Sequence, residues 1–241
     1  MSQQSRGIVL QQVRFGDSDL IVKIFTEEFG LMSFMVKGAF GKRSRIKPAF
    51  FQPLTLIEFV CKLKHKRELQ FLTEIAIETP FHSLHHDITK NSVVIFISEL
   101  LSKTIVEASA NKALFSFIYQ AVQWFDLREQ HYSNFHLYFM LELSRYLGFY
   151  PRTDTYAPQY VFDLMNGSFC LPHPSVFHAI EPSLSATFHR LCQISANNLG
   201  ELQLSRDDRR QLLDHLITYY RLHLPGFHGM HSHQVLSVVL G

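Results

Sequence analysis

The hydrophobic pattern of the chain changes period near residue 81. Before that point, short apolar runs rich in β-branched and aromatic residues alternate with turn formers. Gly7–Val13, Asp19–Thr26, Gly30–Val36, Leu54–Cys61 and Leu69–Ile77 are the predicted strands. A short Glu27-Glu-Phe link suits a hairpin between the second and third. Lys62-Leu-Lys-His-Lys-Arg67 is a charged turn between the fourth and fifth. Five short strands in so little chain predict a small closed barrel, because closure removes the edges an open sheet would expose.

Beyond residue 81 the period is helical. Val93, Val94, Ile97, Leu100, Leu101, Thr104 and Ile105 fall on one helical face. Leu114, Phe117, Ile118, Ala121, Val122 and Phe125 repeat the pattern. Phe135–Leu147 is apolar nearly all round, as in the buried centre of a bundle. Ser183–Ile194, Arg206–Leu224 and His233–Leu240 complete the helices, with Leu212, Leu213, Leu216, Ile217 and Tyr220 as a buried stripe. Ser205 is a predicted N-cap, and Asp207 and Asp208 fall in the first turn, where the helix dipole favours acids. Asn166-Gly167 between apolar runs predicts a β-hairpin inserted at 159–171. The fold class is therefore α+β. A five-stranded OB-fold barrel, the type that binds oligonucleotides and oligosaccharides, occupies residues 1–80. An α-helical domain with a small inserted β-hairpin occupies 81–241.

Composition supports a packed core: 46% of the 241 residues are apolar and 18% charged. Charge adds a candidate function. The net charge is only +2, yet residues 1–80 hold 12 Lys and Arg against 8 Asp and Glu. Nine of those cations, Lys37, Lys42, Arg43, Arg45, Lys47, Lys62, Lys64, Lys66 and Arg67, share a 31-residue stretch with one acid, Glu58. Such a cluster is a candidate polyanion footprint. Phe40, Phe50 and Phe51 stand among the cations as candidate base-stacking rings. If five to seven of the nine cations meet phosphates of a single strand, log affinity falls with log salt at a slope of about −3.5 to −5.

The stretch Lys37-Gly-Ala-Phe-Gly-Lys-Arg resembles a phosphate loop but has Val36 where a glycine is needed and Arg43 where Ser or Thr is needed. No nucleophile elbow, zinc-protease helix, dinucleotide fingerprint or Cys-x-x-Cys is present. Cys61, Cys170 and Cys192 are odd in number and far apart, so a disulfide framework is not expected. Of the 14 histidines, seven cluster at His82–His86 and His223–His233 without partners at ligand spacing, and no metal site is expected from them. No apolar run approaches the ~18 residues of a membrane span, and the first residues lack a signal-peptide pattern. The expected setting is a reducing cytosol.

A further layer comes from particular residues. Gly7-Ile-Val-Leu10, Arg14-Phe-Gly-Asp-Ser-Asp19, Ile24-Phe-Thr-Glu-Glu-Phe-Gly30, Val36-Lys-Gly-Ala39, Lys42-Arg-Ser-Arg45 and Phe51-Gln-Pro53 resemble, in order and spacing, the amino-terminal half of the bacterial recombination mediator family RecO. Leu147-Gly-Phe-Tyr-Pro151, Tyr219-Tyr-Arg-Leu-His223 and Ser232-His-Gln-Val-Leu236 resemble its helical half. The resemblance implies binding of single- and double-stranded DNA without catalysis, annealing of complementary strands, and help in loading RecA onto single strands covered by SSB. It implies RecR and the acidic carboxy-terminal tail of SSB as partners, and a place at the nucleoid. It puts Lys37, Lys42, Arg43 and Arg45 in the family's basic loop and Arg14 at the end of its first strand. Arg206, Arg209, Arg210 and Arg221 are the cations available to an SSB-tail groove. Many members carry a four-cysteine zinc site after the Gly-Phe-x-Pro step. Here Arg152–Phe162 contains no cysteine and only Cys170 remains in the matching region, so no zinc is expected. The hairpin is then to be held by apolar packing of Tyr160, Phe162 and Phe169. Two other readings remain open at this stage: a scaffold whose barrel binds protein instead of DNA, and a nuclease with a scattered site.

Overall fold

The computed structural model describes residues 2–42, 44–63, 67–106 and 109–240. Strands β1 (Ser2–Phe15), β2 (Asp19–Thr26), β3 (Gly30–Val36), β4 (Leu56–Lys62) and β5 (Leu69–Thr79) close into a barrel in the order β1-β2-β3-β5-β4. All neighbours are antiparallel except β3 and β5, which run parallel from Ser33↔Leu69 to Met35↔Phe71. This is the five-stranded OB-fold barrel that the strand pattern predicts.

β1 is longer than predicted because it serves two partners. Ser2–Ile8 pair with β4 and Gly7–Phe15 pair with β2. Gly7 is paired on both sides, and a Cβ there would stand 2.5 Å from Ile24 Cγ2. A glycine is what allows so close an approach. The ladder skips Leu10 between Val9 and Gln11, a bulge that bends the strand around the barrel. Inside, Leu20, Val22 and Ile24 of β2 meet Phe34 of β3 and Phe59 of β4, all buried. Phe34 and Phe59 pack edge to face at 5.2 Å. A 3-10 turn at Pro48–Phe51 adds the fully buried Phe51 to this core.

The chain packs as two compact units, residues 1–127 and 128–241. The period change at 81 marks where strands give way to helices, and the first two helices still pack with the barrel. Of these, α1 (Ile88–Thr104) lies on β1, where the Ser98 hydroxyl donates to the Leu10 carbonyl at the bulge. α2 (Lys112–Leu127) sets Phe115 against Phe25 of β2 at 5.9 Å. Phe115 is buried, whereas the predicted Phe117 is only partly so. Arg6 of β1 grips Glu27 through two hydrogen bonds, 2.8 and 2.7 Å, and lies 4.9 Å from the Tyr119 ring of α2. That grip raises the arginine's pKa and holds the Glu27 carboxyl below its usual range.

The second unit holds α3 (Phe135–Tyr146), α4 (Pro182–Gln193), α5 (Arg206–His223), α6 (Ser232–Leu240) and a small sheet. The sheet runs β7 (Ser168–Cys170), β6 (Val161–Asp163), β8 (Ala179–Ile180). Its hairpin turns at Asn166-Gly167. Gly167 adopts φ +63°, and a Cβ there would meet the Tyr219 hydroxyl at 2.8 Å. The Asp163 carboxylate accepts the Met165 backbone N–H at 2.8 Å and steadies the turn. Phe162 packs on Phe169 (4.9 Å) and on Phe188 of α4 (4.6 Å), as expected of an apolar-held hairpin. Tyr156 is a further ring against Phe169, at 5.1 Å. At the start of α5 the Ser205 hydroxyl accepts the Asp208 N–H at 3.0 Å, the predicted cap. Among the described residues no helix is long and apolar enough to cross a membrane.

His136 of α3 gives this unit a pH dependence. Burial, helped by the Arg209 charge, pushes its pKa down to about 3. The unfolded chain takes up this proton near pH 6.5, and the folded chain does so only far below that. Stability is therefore full above about pH 6.5 and falls as the pH drops toward 3. At ~1.4 kcal/mol per pH unit, His136 is expected to cost about 2 kcal/mol between about pH 7 and pH 5. Urea unfolding of wild type and His136→Gln at the two pH values measures this, with the flatter dependence expected in the variant.

Candidate nucleic-acid interface

Strand alternation decides which side chains the barrel shows to solvent. On β2, Leu20, Val22 and Ile24 are buried, while Ile21 and Lys23 point outward. The register then builds two rows across four strands. One is Val13–Ile21–Met35–Phe71, apolar and aromatic. The other is Gln11–Lys23–Ser33–Leu69. At one end of the rows stand Phe15, 53% exposed, and its partner Asp19, followed by Lys37 just past β3.

The loop after β3 is held in shape by specific bonds. The Asp19 carboxylate accepts the Gly38 N–H (2.8 Å) and the Ser18 hydroxyl (2.9 Å). These bonds, with the Lys37 charge nearby, hold the Asp19 carboxyl below its usual range. Ala39 is fully buried and anchors the loop to the core. Lys47 donates from Nζ to the carbonyls of Gly41 (2.8 Å) and Lys42 (3.4 Å), so this predicted site residue braces the loop. Lys42 and Arg45 remain exposed. Phe40, 44% exposed, lies under the Arg14 guanidinium at 4.8 Å. The end of β1 and the basic loop thus meet through this pair. Between the loop and β5 lies a cleft of ≈ 430 Å³, lined by Met35, Lys37, Ser44, Arg45, Ile46, Phe71, Leu72 and Thr73.

Of the second basic cluster, Lys62 and Arg67 are exposed. Arg43, Lys64 and Lys66 lie outside the described residues. Arg67 precedes the start of β5 and Lys37 follows the end of β3. With Ser33 opposite Leu69, the two sit about 20 Å apart along the ribbon at ~3.3 Å per residue. The two basic loops therefore stand at opposite ends of the β3–β5 ribbon. Among the described residues, Arg14, Lys37, Lys42, Arg45, Lys62 and Arg67 form no ion pair with a carboxylate. Phe51 is fully buried in the barrel core, so it is not the stacking ring expected of it, and Phe50 packs half-buried against that core. Lys23 and Phe71 belong to the exposed face yet escape a reading of contiguous charge. The period-two alternation of their strands is the signal that finds them.

The family model described as "Recombination protein O N terminal" matches residues 1–81, and that described as "Recombination protein O C terminal" matches 85–231. The chain belongs to the RecO family. The "DNA repair protein RecO" of Flavobacterium psychrophilum is 40% identical over 245 residues, covering 99% of each chain. That of Azobacteroides pseudotrichonymphae is 34% identical over 239 residues, again 99% of each. That of Phocaeicola vulgatus is 33% identical over 237 residues, 98% of each.

Two of the pieces that carry the RecO resemblance in the helical half, Leu147–Pro151 and Tyr219–His223, meet in space. Phe149 of the Leu147–Pro151 step packs edge-on to Tyr219 (5.6 Å) and Tyr220 (4.9 Å) and stacks on His223 at 5.5 Å. The Tyr219 hydroxyl donates to the Phe149 carbonyl at 2.6 Å. The residues present do not fit the four-thiolate zinc site of many RecO-family members. Cys170 is the one thiol between Pro151 and Ile180, and burial pushes its pKa up. Tyr156, stacked on His189 at 4.0 Å, and Phe169 bring rings to this segment in place of sulfur. Among the described residues, no three of His, Cys, Asp and Glu gather as metal ligands.

The structure does not gather the four arginines of α5 into one site. Arg209 donates to Asn134 Oδ1 (2.9 Å), the Leu240 carbonyl (2.6 Å) and the Leu204 carbonyl (3.3 Å). It ties α5 to the start of α3 and the end of α6, and burial lowers its pKa. Arg206 and Arg210 are exposed one turn apart, with Arg210 paired to Asp207 at 3.3 Å. Arg221 is exposed about 16 Å farther along the helix at ~1.5 Å per residue.

Proposed function

We propose that the chain is a non-enzymatic recombination mediator. In this reading it binds single- and double-stranded DNA, anneals complementary strands, and assists RecA loading onto SSB-coated single strands together with RecR. Membership of the RecO family supports a role in DNA repair and recombination. The DNA-binding part rests on one observation, an outward OB-barrel face where an apolar row ending in Phe71 is flanked by cations without ion-pair partners. Such cations release counterions when they meet phosphates. Exposed rings accept unstacked bases of any sequence.

Arg14, Lys23, Lys37, Phe40, Lys42, Arg45, Lys62, Arg67 and Phe71 are the residues assigned to this contact, with Lys47 bracing the loop. Arg43, Lys64 and Lys66 add charge to the same loops by sequence. Annealing follows from the same physics. Two strands repel through their phosphates, and neutralising charge on each lowers that barrier while raising local concentration. The reading needs no covalent step and no cofactor. Arg206 and Arg210 are the cations offered to the acidic SSB tail. The compartment in this reading is the bacterial cytoplasm, at the nucleoid.

A second reading is favoured by Val13 and Phe15, apolar and 51% and 53% exposed, which would also suit a protein partner on a scaffold. Strand annealing separates the two. Wild type, without any nucleotide, is expected to speed the pairing of two complementary labelled oligonucleotides by at least about tenfold. An unchanged rate would remove annealing from the account and favour the scaffold.

A further inference from the structure

We infer that the cleft between the basic loop and β5 seats one unstacked base of a single strand, stacked on Phe71, with the neighbouring phosphate held by Lys37 and Arg45. The inference rests on the DNA-binding reading and deepens it, because it makes this part of the face a reader of single strands.

The cleft has the size and lining such a ligand needs. Its ≈ 430 Å³ falls within the range of small-ligand sites. Met35, Ile46, Phe71 and Leu72 supply apolar surface, and Lys37 and Arg45 are its cations. Its hydroxyls are already engaged: Ser44 donates to the Ile46 carbonyl and Thr73 to the Val60 carbonyl, each at 2.8 Å. The cations thus remain for a ligand, and they call for an anion beside an apolar, flat group. A nucleotide joins those two features at the required closeness.

The Lys37 ammonium rests over the Phe71 ring, 5.5 Å from its centroid. Phe71 is half-buried with its ring at the surface, and a cation over a ring at the surface is held weakly. A base stacked on the same ring is held more strongly. Exchange of one for the other is therefore favourable, and it frees the ammonium for the phosphate. A duplex cannot use this seat without unpairing a base, because its bases are stacked inside the helix. Duplex binding would draw only on the cations.

The test compares three labelled DNAs of one length: a single strand, a duplex and a single strand of abasic positions. Phe71→Ala is expected to weaken single-strand binding about tenfold, leave duplex binding within about twofold and keep the salt slope. Phe71→Tyr is expected to bind like wild type. The abasic strand is expected to bind wild type about tenfold more weakly than the normal strand, with no further loss in Phe71→Ala. Equal losses on single strand and duplex, or an abasic strand that binds wild type as well as the normal one, would overturn the base seat. The abasic arm uses wild type alone, so it decides even if Phe71→Ala fails to fold. Steep salt-dependent binding with no abasic effect would leave DNA binding standing and remove only the seat. No binding to any of the three would remove both.

Discussion

A Lys37→Glu/Lys42→Glu/Arg45→Glu triple variant is expected to bind a single-stranded oligonucleotide at least about 100-fold more weakly than wild type at about 0.1 M salt. The magnitude follows from counterion release. Each phosphate of a single strand that is no longer neutralised reduces the salt slope by about 0.7, which at 0.1 M is worth about 0.7 log units of affinity. Three such phosphates give about two log units, and the introduced carboxylates add repulsion. The three side chains are exposed and carry no ion pair that the change would break. The barrel core around Phe34 and Phe59 is untouched, so circular dichroism should be unchanged. Fluorescence anisotropy reads the affinity. A loss below about threefold would move the DNA contact off this loop.

The second large effect concerns stability. Asp126→Ala is expected to destabilise the first unit by about 3 kcal/mol. Asp126 is only 5% exposed, near the end of α2. Its carboxylate accepts the backbone N–H groups of His82 (2.9 Å), Ser83 (2.9 Å) and Leu84 (3.1 Å), and also the Ser83 hydroxyl (3.1 Å). It fixes the turn that leads from β5 into α1. Burial works against the charge, but these donors outweigh it and hold the Asp126 carboxyl below its usual range. Its contribution is present above about pH 4 and is lost as the pH falls through the lowered folded value. Alanine leaves the donors without their acceptor at any pH. Urea unfolding near neutral pH tests the magnitude, and a change below about 1 kcal/mol would contradict it.

How much of this was legible depended on how local the cause is. β2 and β3 begin and end where their alternation and flanking turns predict, because turn residues and the buried stripe act over a few positions. The Asn166-Gly167 hairpin and the Ser205 cap are local for the same reason. The first five residues of β1 escaped notice because they are mostly polar. Backbone pairing to β4, more than fifty residues away, makes them a strand. β8 escaped because two residues, Ala179 and Ile180, carry no periodicity.

The candidate site divides along the same line. Contiguous charge marks the basic loops, but Lys23 and Phe71 join them only through the register of β2, β3 and β5. Lys47 and Arg209 look like surface cations in sequence. Their carbonyl partners, at Gly41 and at Leu204 and Leu240, make them structural. Phe51 looks like a stacking ring and instead fills the core, because the 3-10 turn at Pro48 carries it inward, with Phe50 packed against that core.

The central claim is that the outward face of the barrel binds the phosphate backbone of a single strand. Anisotropy binding of a labelled single-stranded oligonucleotide to wild type, from about 50 to about 300 mM salt, tests it most directly. The account predicts a log–log slope of about −3.5 to −5, flattened by about 2 in the Lys37/Lys42/Arg45 reversal. A slope near zero, or no binding at the lowest salt, would contradict it and leave a protein-binding scaffold as the better account of this face.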